Sequence, residues 1–235
     1  MSIGTGWTRL WTTGVAVVAS GLLSGCVNTV AGSALRDPDA PLEITLRESD
    51  LDDVLVPVQD LNDIVGAFGL EVAFEFDELN DNSAAVSDPE CLAAAFGAQE
   101  LVYGDSGWSA IRDQIVREPG ENNPHWIEQA VVLYPSAEQA RDFFDASQRT
   151  WGNCVGPMVT YDRGDVPQNW DVSELTVQDS AISQMSRPED APRGGCHHAL
   201  SVVSNVIVET WACGDNIVDE ASTMAAEIVA NIETK

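Results

Sequence analysis

The sequence predicts an α+β fold in which one mainly antiparallel sheet is packed by helices. In the second half of the chain, strand-like segments follow one another without intervening helices, which favours antiparallel pairing. Segments with helical spacing precede and follow them, most clearly at 136–151 and after residue 215. About 185 residues lie beyond residue 47, enough for one domain with a sizeable core.

The first 25 residues are predicted to be a signal peptide. Arg9 precedes an apolar stretch at 10–23 that is short for a transmembrane helix. Leu23-Ser24-Gly25-Cys26 then matches the bacterial lipobox, in which small residues enter the peptidase and the free thiol accepts diacylglycerol. We therefore expect cleavage before Cys26, lipidation of Cys26, and anchoring to the outer face of the plasma membrane. An ordinary secretory signal is the alternative.

This interpretation divides the chain into a signal peptide at 1–25, a flexible linker at 26–47 and a folded domain at 48–235. The formal net charge of the chain is −27, and its one lysine is Lys235. A polyanionic domain repels nucleic acid and anionic lipid headgroups, so no nucleic-acid partner is expected. The simplest role of the charge is solubility.

The first elements of the domain are predicted from caps and spacing. Ser49 begins a helix with acids in its first turn, and Pro57 interrupts it and opens a second helix. An apolar–acidic alternation predicts a strand at 70–76. Asp88 then caps a short helix at 91–96, and the polar residues before it are predicted to form a loop.

The later elements include two hairpins and the best-defined helix. The turn-rich residues 118–124 predict a hairpin between strands at 108–117 and 125–134. A capping box between Ser136 and Gln139 begins a helix that runs to residue 151. The remaining predicted elements are strands at 155–161, 172–177, 181–187, 198–204 and 205–213, and a final helix from Asp215 or Asn216. The last two strands are predicted to form a hairpin around Ser204 and Asn205.

Beyond Cys26, the chain contains four cysteines: Cys91, Cys154, Cys196 and Cys213. An even set in an exported chain predicts two disulfides, and three pairings are possible. Cys196-His197-His198 with Cys213 could instead suggest zinc, but neighbouring strand residues point to opposite faces. A disulfide across the hairpin is therefore the favoured interpretation, and we predict neither a metal nor a cofactor.

No catalytic residue is predicted, although His125, His197 and His198 are possible bases. The sequence lacks the nucleophile motif Gly-x-Ser-x-Gly and any phosphate-binding glycine loop, and acids are too abundant for any pair to be informative. Residues 77–81 lack the pattern of a calcium loop. Trp170, in a predicted loop at 167–171, is the tryptophan expected to line a cleft for a small molecule or peptide.

The cysteine frame resembles the PknH-like extracellular sensor domain of mycobacteria over about residues 45–235. The resemblance is carried by Trp151-Gly152-Asn153-Cys154, by Gly195-Cys196-His197-His198-Ala199-Leu200, by Asn205, and by Cys213 before a final helix. It implies a twisted antiparallel sheet with a large cleft, the disulfides Cys91–Cys154 and Cys196–Cys213, and an unidentified extracellular ligand.

Such domains occur in receptor Ser/Thr kinases and in stand-alone lipoproteins. This sequence contains neither kinase sequence nor a predicted transmembrane helix, so we expect any signal to pass through another envelope protein. The sequence therefore predicts a lipid-anchored module of the cell envelope that binds a ligand in a cleft. An envelope hydrolase and a structural or protein-interaction lipoprotein are the alternatives.

Overall fold

The fold is described from a computed structural model, in which residues 45–121, 123–162, 166–190 and 193–235 are described. Within these residues, one sheet holds nine strands, and every pairing is antiparallel. The strands are β1 (Glu71–Phe76), β2 (Ala110–Arg117), β3 (Trp126–Leu133), β4 (Gly156–Asp162), β5 (Val166–Val172), β6 (Thr176–Val177), β7 (Ala181–Pro188), β8 (Gly194–Val203) and β9 (Val206–Asp215). The strand order is β1-β2-β3-β9-β8-β7-β5-β4, with β6 beside β7. The predicted α+β class with a mainly antiparallel sheet is confirmed.

Five α-helices pack around this sheet within the described residues. They are α1 (Val58–Val65), α2 (Leu92–Ala95), α3 (Glu100–Tyr103), α4 (Ala137–Asn153) and α5 (Glu220–Glu233). α1 ends at Gly66, whose φ of 66° is left-handed and suits glycine. Ser136 caps α4 as predicted, because its hydroxyl accepts a hydrogen bond from the Gln139 amide. None of the described helices is long and apolar enough to cross a membrane.

The two faces of the sheet bury separate cores. Alternate residues of the central strands point to opposite faces, so Val208 packs towards α5 while Ile207 packs towards α4. The first core contains Met224 and Ile228 of α5, and the second contains Phe144 of α4. Since both faces are covered, the central strands are mostly apolar, and α4 and α5 each cover one face.

The helix boundaries differ from the prediction at three places. The segment after Ser49 forms two short 3-10 helices instead of an α-helix. α5 begins later than predicted, at Glu220, because β9 extends to Asp215. The φ of 62° at Asn216 is left-handed and incompatible with a right-handed helix at that residue. α3 was not predicted, since its four residues are too few to show a helical period.

The strands predicted around residue 172 were also wrong in detail. The predicted strand at 172–177 divides into the end of β5 and the two-residue β6. The predicted loop at 167–171 instead belongs to β5. Pro167 is tolerated there because this end of β5 pairs only with β4, whereas Trp170, Asp171 and Val172 also pair with β7.

Two disulfides fasten the helices and the sheet. Cys91–Cys154 joins the segment before α2 to the end of α4 across 63 residues. Cys196–Cys213 joins directly opposed residues of β8 and β9. This is the pairing that the resemblance implied, and it leaves neither cysteine of the hairpin as a free thiolate for zinc.

Cys26 and residues 1–44 lie outside the described residues. The chain is already part of the fold at Leu46, which is buried and whose backbone amide and carbonyl bond the side chain of Asn205. The Asn205 amide also donates to the carbonyl of Tyr134. Asn205, in the turn between β8 and β9, therefore fixes the start of the described chain against the sheet.

Candidate ligand-binding site

Two cavities lie on the face of the sheet that carries α4. One, of about 720 Å³, follows α4 and is rich in carboxylates, including Asp88, Glu90, Asp105 and Asp142. The other, of about 520 Å³, lies over the start of β3, the start of β8 and the end of β9, and its walls are mainly apolar. Ligand sites are usually apolar concavities with a few polar groups, so the smaller cavity is the better candidate.

We call this smaller cavity the aromatic cleft, because seven of the described residues that line it are aromatic. Its aromatic side chains are Phe74, Phe76, Phe96, Trp126, Tyr161, Trp170 and Trp211. Phe74 and Trp126 are exposed over 44% and 36% of their surfaces, and apolar rings of this size are normally more buried. The rings are therefore held open to a space that a ligand could fill.

Trp170 lies in this wall. It is on β5, where its indole nitrogen donates to the hydroxyl of Thr160 on β4 at 3.2 Å. Tyr161 of β4 also lines the cleft. The outer strands β4 and β5 thus present two aromatic side chains to the cleft, which Trp126 of β3 also lines.

The floor of the cleft is the sheet itself. Trp211 and the Cys196–Cys213 disulfide both line it, and the Trp211 indole nitrogen lies 2.7 Å from the sulfur of Cys213. Behind Trp211, the ring of His198 is held between two indoles, with its centroid 4.0 Å from those of Trp211 and Trp151. The floor is therefore built from rings that support one another.

A buried carboxyl cluster lies beside this floor and consists of Asp113, Glu128 and Glu209. Asp113 and Glu209 are each opposite Ala130 in the β2–β3–β9 register, and Glu128 is two residues from Ala130 on the same face. Glu128 lines the cleft. Gly97 covers the cluster, and a Cβ at that position would lie 2.5 Å from Glu128 Oε1, so glycine permits this close approach.

Glu209 is the best-bonded member of the cluster. It accepts hydrogen bonds from the hydroxyl of Tyr103 at 2.7 Å and from the amide of Ala98 at 3.0 Å. Its other oxygen is 2.9 Å from His198 Nε2. Asp113 is less well satisfied: Asn80 donates to one oxygen, and the other is buried without a partner among the described residues.

Burial and mutual repulsion disfavour charge on the other two acids. Burial, with the charge of Glu209 second, raises the pKa of Asp113 to about 7. Burial, followed by Asp113 and Glu209, raises the pKa of Glu128 well above its usual value. Burial lowers the pKa of His198, so its ring is favoured as neutral. The cluster therefore retains protons on Asp113 and Glu128 in conditions where free carboxyls have lost them.

The histidines do not converge in the aromatic cleft. His125 bonds Glu118 at 2.6 Å near the end of the β2–β3 loop. His197 Nε2 is 3.5 Å from the Ser222 hydroxyl, on the opposite face of the sheet beside α5. His198 is buried between its two tryptophans. The three possible bases are thus in separate places, and none of them lines the cleft.

Sequence reasoning missed the carboxyl cluster. Acids account for 38 of the 235 residues, so the presence of an acid does not by itself indicate a site. The available signal was their position: Glu128 and Glu209 lie inside apolar strands, where a charged side chain is rarely fully buried without a partner. A predicted strand with an inward acid would have identified them as candidates for the site.

The two disulfides and the ligand-sized cleft are typical of an exported binding domain. The model of the PknH-like extracellular domain family matches residues 46–231, and the chain belongs to that family. Membership agrees with the resemblance found from the cysteine frame. It indicates an extracytoplasmic location, and the homology is to an extracellular sensor domain.

Serine/threonine-protein kinase PknH of Mycobacterium bovis is 30% identical over 219 residues, which cover 93% of this chain and 36% of that protein. PknH of Mycobacterium tuberculosis is 32% identical over 185 residues, 79% of this chain and 30% of that protein. The chain thus spans about a third of the length of these relatives. The crystal structure of the extracellular domain of M. tuberculosis PknH superposes with a TM-score of 0.77 at 29% identity, covering 82% of this chain and all of that one.

Proposed function

We propose that this chain is a lipid-anchored module of the cell envelope that binds a small molecule or peptide in the aromatic cleft. The observation that carries the proposal is the cleft itself, an apolar cavity of about 520 Å³ in which several large rings face open space. Family membership supports a sensor role. Only the extracellular domain of the kinase relatives supports this role, because the match covers about a third of their length.

Replacing Trp170 by alanine is expected to weaken binding of the native ligand about tenfold, because the cleft loses one of its large ring faces. The full chain would be produced in a mycobacterial host, extracted in detergent and examined by native mass spectrometry. Wild type should carry an additional bound mass, and Trp170→Ala should carry much less.

Phe68→Ala is the matched control, since Phe68 is 95% exposed and lies outside the cleft. This variant should keep the bound mass. Wild type without any bound mass, or Trp170→Ala with as much as wild type, would contradict the proposal.

Lipid attachment is proposed at Cys26, on the basis of Leu23-Ser24-Gly25-Cys26. Cells fed an alkyne-tagged palmitate should label the wild-type chain and leave Cys26→Ser unlabelled. Ser24→Ala is the control, because it keeps a small residue in the lipobox and should stay labelled. Equal labelling of wild type and Cys26→Ser would show that this cysteine is not the lipid site.

A further inference from the structure

We propose that the aromatic cleft selects a ligand with an apolar body and a cationic amine, and that Glu128 receives the amine. This inference rests on the ligand-binding function proposed above and specifies the chemistry of the ligand. It is carried by the charges and rings that line the described part of the cleft, and not by any bound molecule.

The charged groups of the cleft favour a cation. Among the described residues that line it, Glu128 supplies the one carboxyl group, and none is lysine, arginine or histidine. Glu209, and Asp113 when it is ionised, lie close to Glu128 and add negative potential there. This negative potential would repel an anionic ligand, and no described cationic side chain in the lining would offset the repulsion. A purely apolar ligand would cover the Glu128 carboxyl without replacing its contact with water.

The rings favour the same ligand class. The face of an aromatic ring attracts cations, most strongly for tryptophan. At the rim, the guanidinium of Arg117 already lies 5.4 Å from the ring centroid of Phe74 and 5.8 Å from that of Trp126. Both rings also line the cleft, so the surface that stabilises this guanidinium continues inward towards Glu128.

Glu128 is placed to respond to an amine. Its Oε2 is 3.4 Å from the indole nitrogen of Trp126 on its own strand, and its Oε1 lies under Gly97. The titratable groups described around it are Asp113 on β2, Glu209 on β9, and Tyr103 on α3 and His198 on β8, which both bond Glu209. In the free protein these acids favour protonated Glu128. A bound ammonium would reverse this preference, and the proton would pass to solvent.

Three probes with one phenylpropyl body test the ligand class: 3-phenylpropylammonium, 3-phenylpropan-1-ol and 3-phenylpropanoate. Binding to the full chain in detergent would be followed by calorimetry and by the fluorescence of the cleft tryptophans. The ammonium is expected to bind at least about tenfold more tightly than the alcohol, and the anion least tightly. Because binding releases a proton from Glu128, the affinity for the ammonium should rise with pH for as long as Glu128 is protonated in the free protein.

Glu128→Gln should remove most of the preference for the ammonium over the alcohol, together with the rise of the ammonium affinity with pH. Glu75→Gln is the control. Glu75 is exposed on β1, bonds Gln114 and does not line the cleft, yet its replacement removes the same formal charge. Glu75→Gln should keep the preference for the ammonium over the alcohol, because the Glu128 carboxyl that contacts the ammonium is still present.

The results separate this inference from the proposed function. If the alcohol binds as tightly as the ammonium, or the anion binds best through Arg117, the cleft binds ligands but the amine class is wrong. If none of the probes binds, the amine class is again overturned, while a bound mass on the native protein would still support ligand binding. If Glu128→Gln does not fold, the order of the three probes and the pH dependence on wild type decide the question.

Discussion

Replacing Glu209 by alanine is expected to lower the free energy of unfolding by about 3–5 kcal/mol. Three donors depend on this carboxylate: the Tyr103 hydroxyl, the Ala98 amide and His198. All three residues are at most 2% exposed, so water cannot replace the lost acceptor without opening the structure. Relief of repulsion with Asp113 and Glu128 opposes this loss. It is the smaller effect, because burial already favours the protonated forms of those two acids.

The measurement is urea unfolding of the full chain, followed by tryptophan fluorescence. Glu209→Gln keeps one acceptor oxygen and should lose less stability than Glu209→Ala. Glu227→Ala, at an exposed position of α5, should change stability by less than about 0.5 kcal/mol. A loss below about 1 kcal/mol for Glu209→Ala would mean that the three hydrogen bonds do not hold the 97–103 segment against the sheet.

The regular elements could be predicted because local sequence determines them. The caps at Ser136 and Asp88 and the apolar spacing along 136–151 are local signals, and the structure contains both caps. The final hairpin was also predicted around Ser204 and Asn205, and Ser204 has the left-handed φ of 52° that a tight turn requires. Such features need no information from distant residues.

The errors arise where distant partners decide the conformation. Pro167 indicated a loop, yet β4 pairs with this segment and makes it a strand. The aromatic cleft joins β1, β3, β4, β5 and β9, which are far apart in sequence, so Trp170 alone could be suggested. The position of Glu128 and Glu209 inside apolar strands is a local signal, but it does not show that the two acids meet. Their pairing with Asp113 depends on strand register, which single-sequence periodicity does not determine.

The stability of the protein should depend on Asp113 in a direction opposite to that of most surface carboxylates. The pKa of Asp113 is about 7 in the fold, against a usual 3.8, because burial and Glu209 disfavour its charge. Between these two values the folded chain binds more protons than the unfolded chain. The contribution of Asp113 to stability is therefore intact below about pH 4 and falls as pH rises to about 7.

Asp113→Asn should remove this dependence. Relative to wild type, the variant should gain about 1–3 kcal/mol between pH 5 and pH 8, which is several degrees in Tm for a domain of this size. Burial lowers the pKa values of His197 and His198, and their effect on stability has the opposite pH dependence. The fold loses stability as the pH falls, because protonation would place a charge on a buried ring. Taking the difference between variant and wild type at each pH largely cancels that contribution.

Asp63→Asn on the exposed surface of α1 is the control, because it changes the formal charge by the same amount. Its difference from wild type should stay constant between pH 5 and pH 8. A constant difference for Asp113→Asn as well would show that Asp113 is ionised in the fold throughout this range. Glu128 would then have a charged neighbour at neutral pH, and release of a proton from Glu128 on amine binding would have to be sought at higher pH. The pH dependence of stability therefore tests the same electrostatic cluster on which the ligand class depends, and it does so without any ligand.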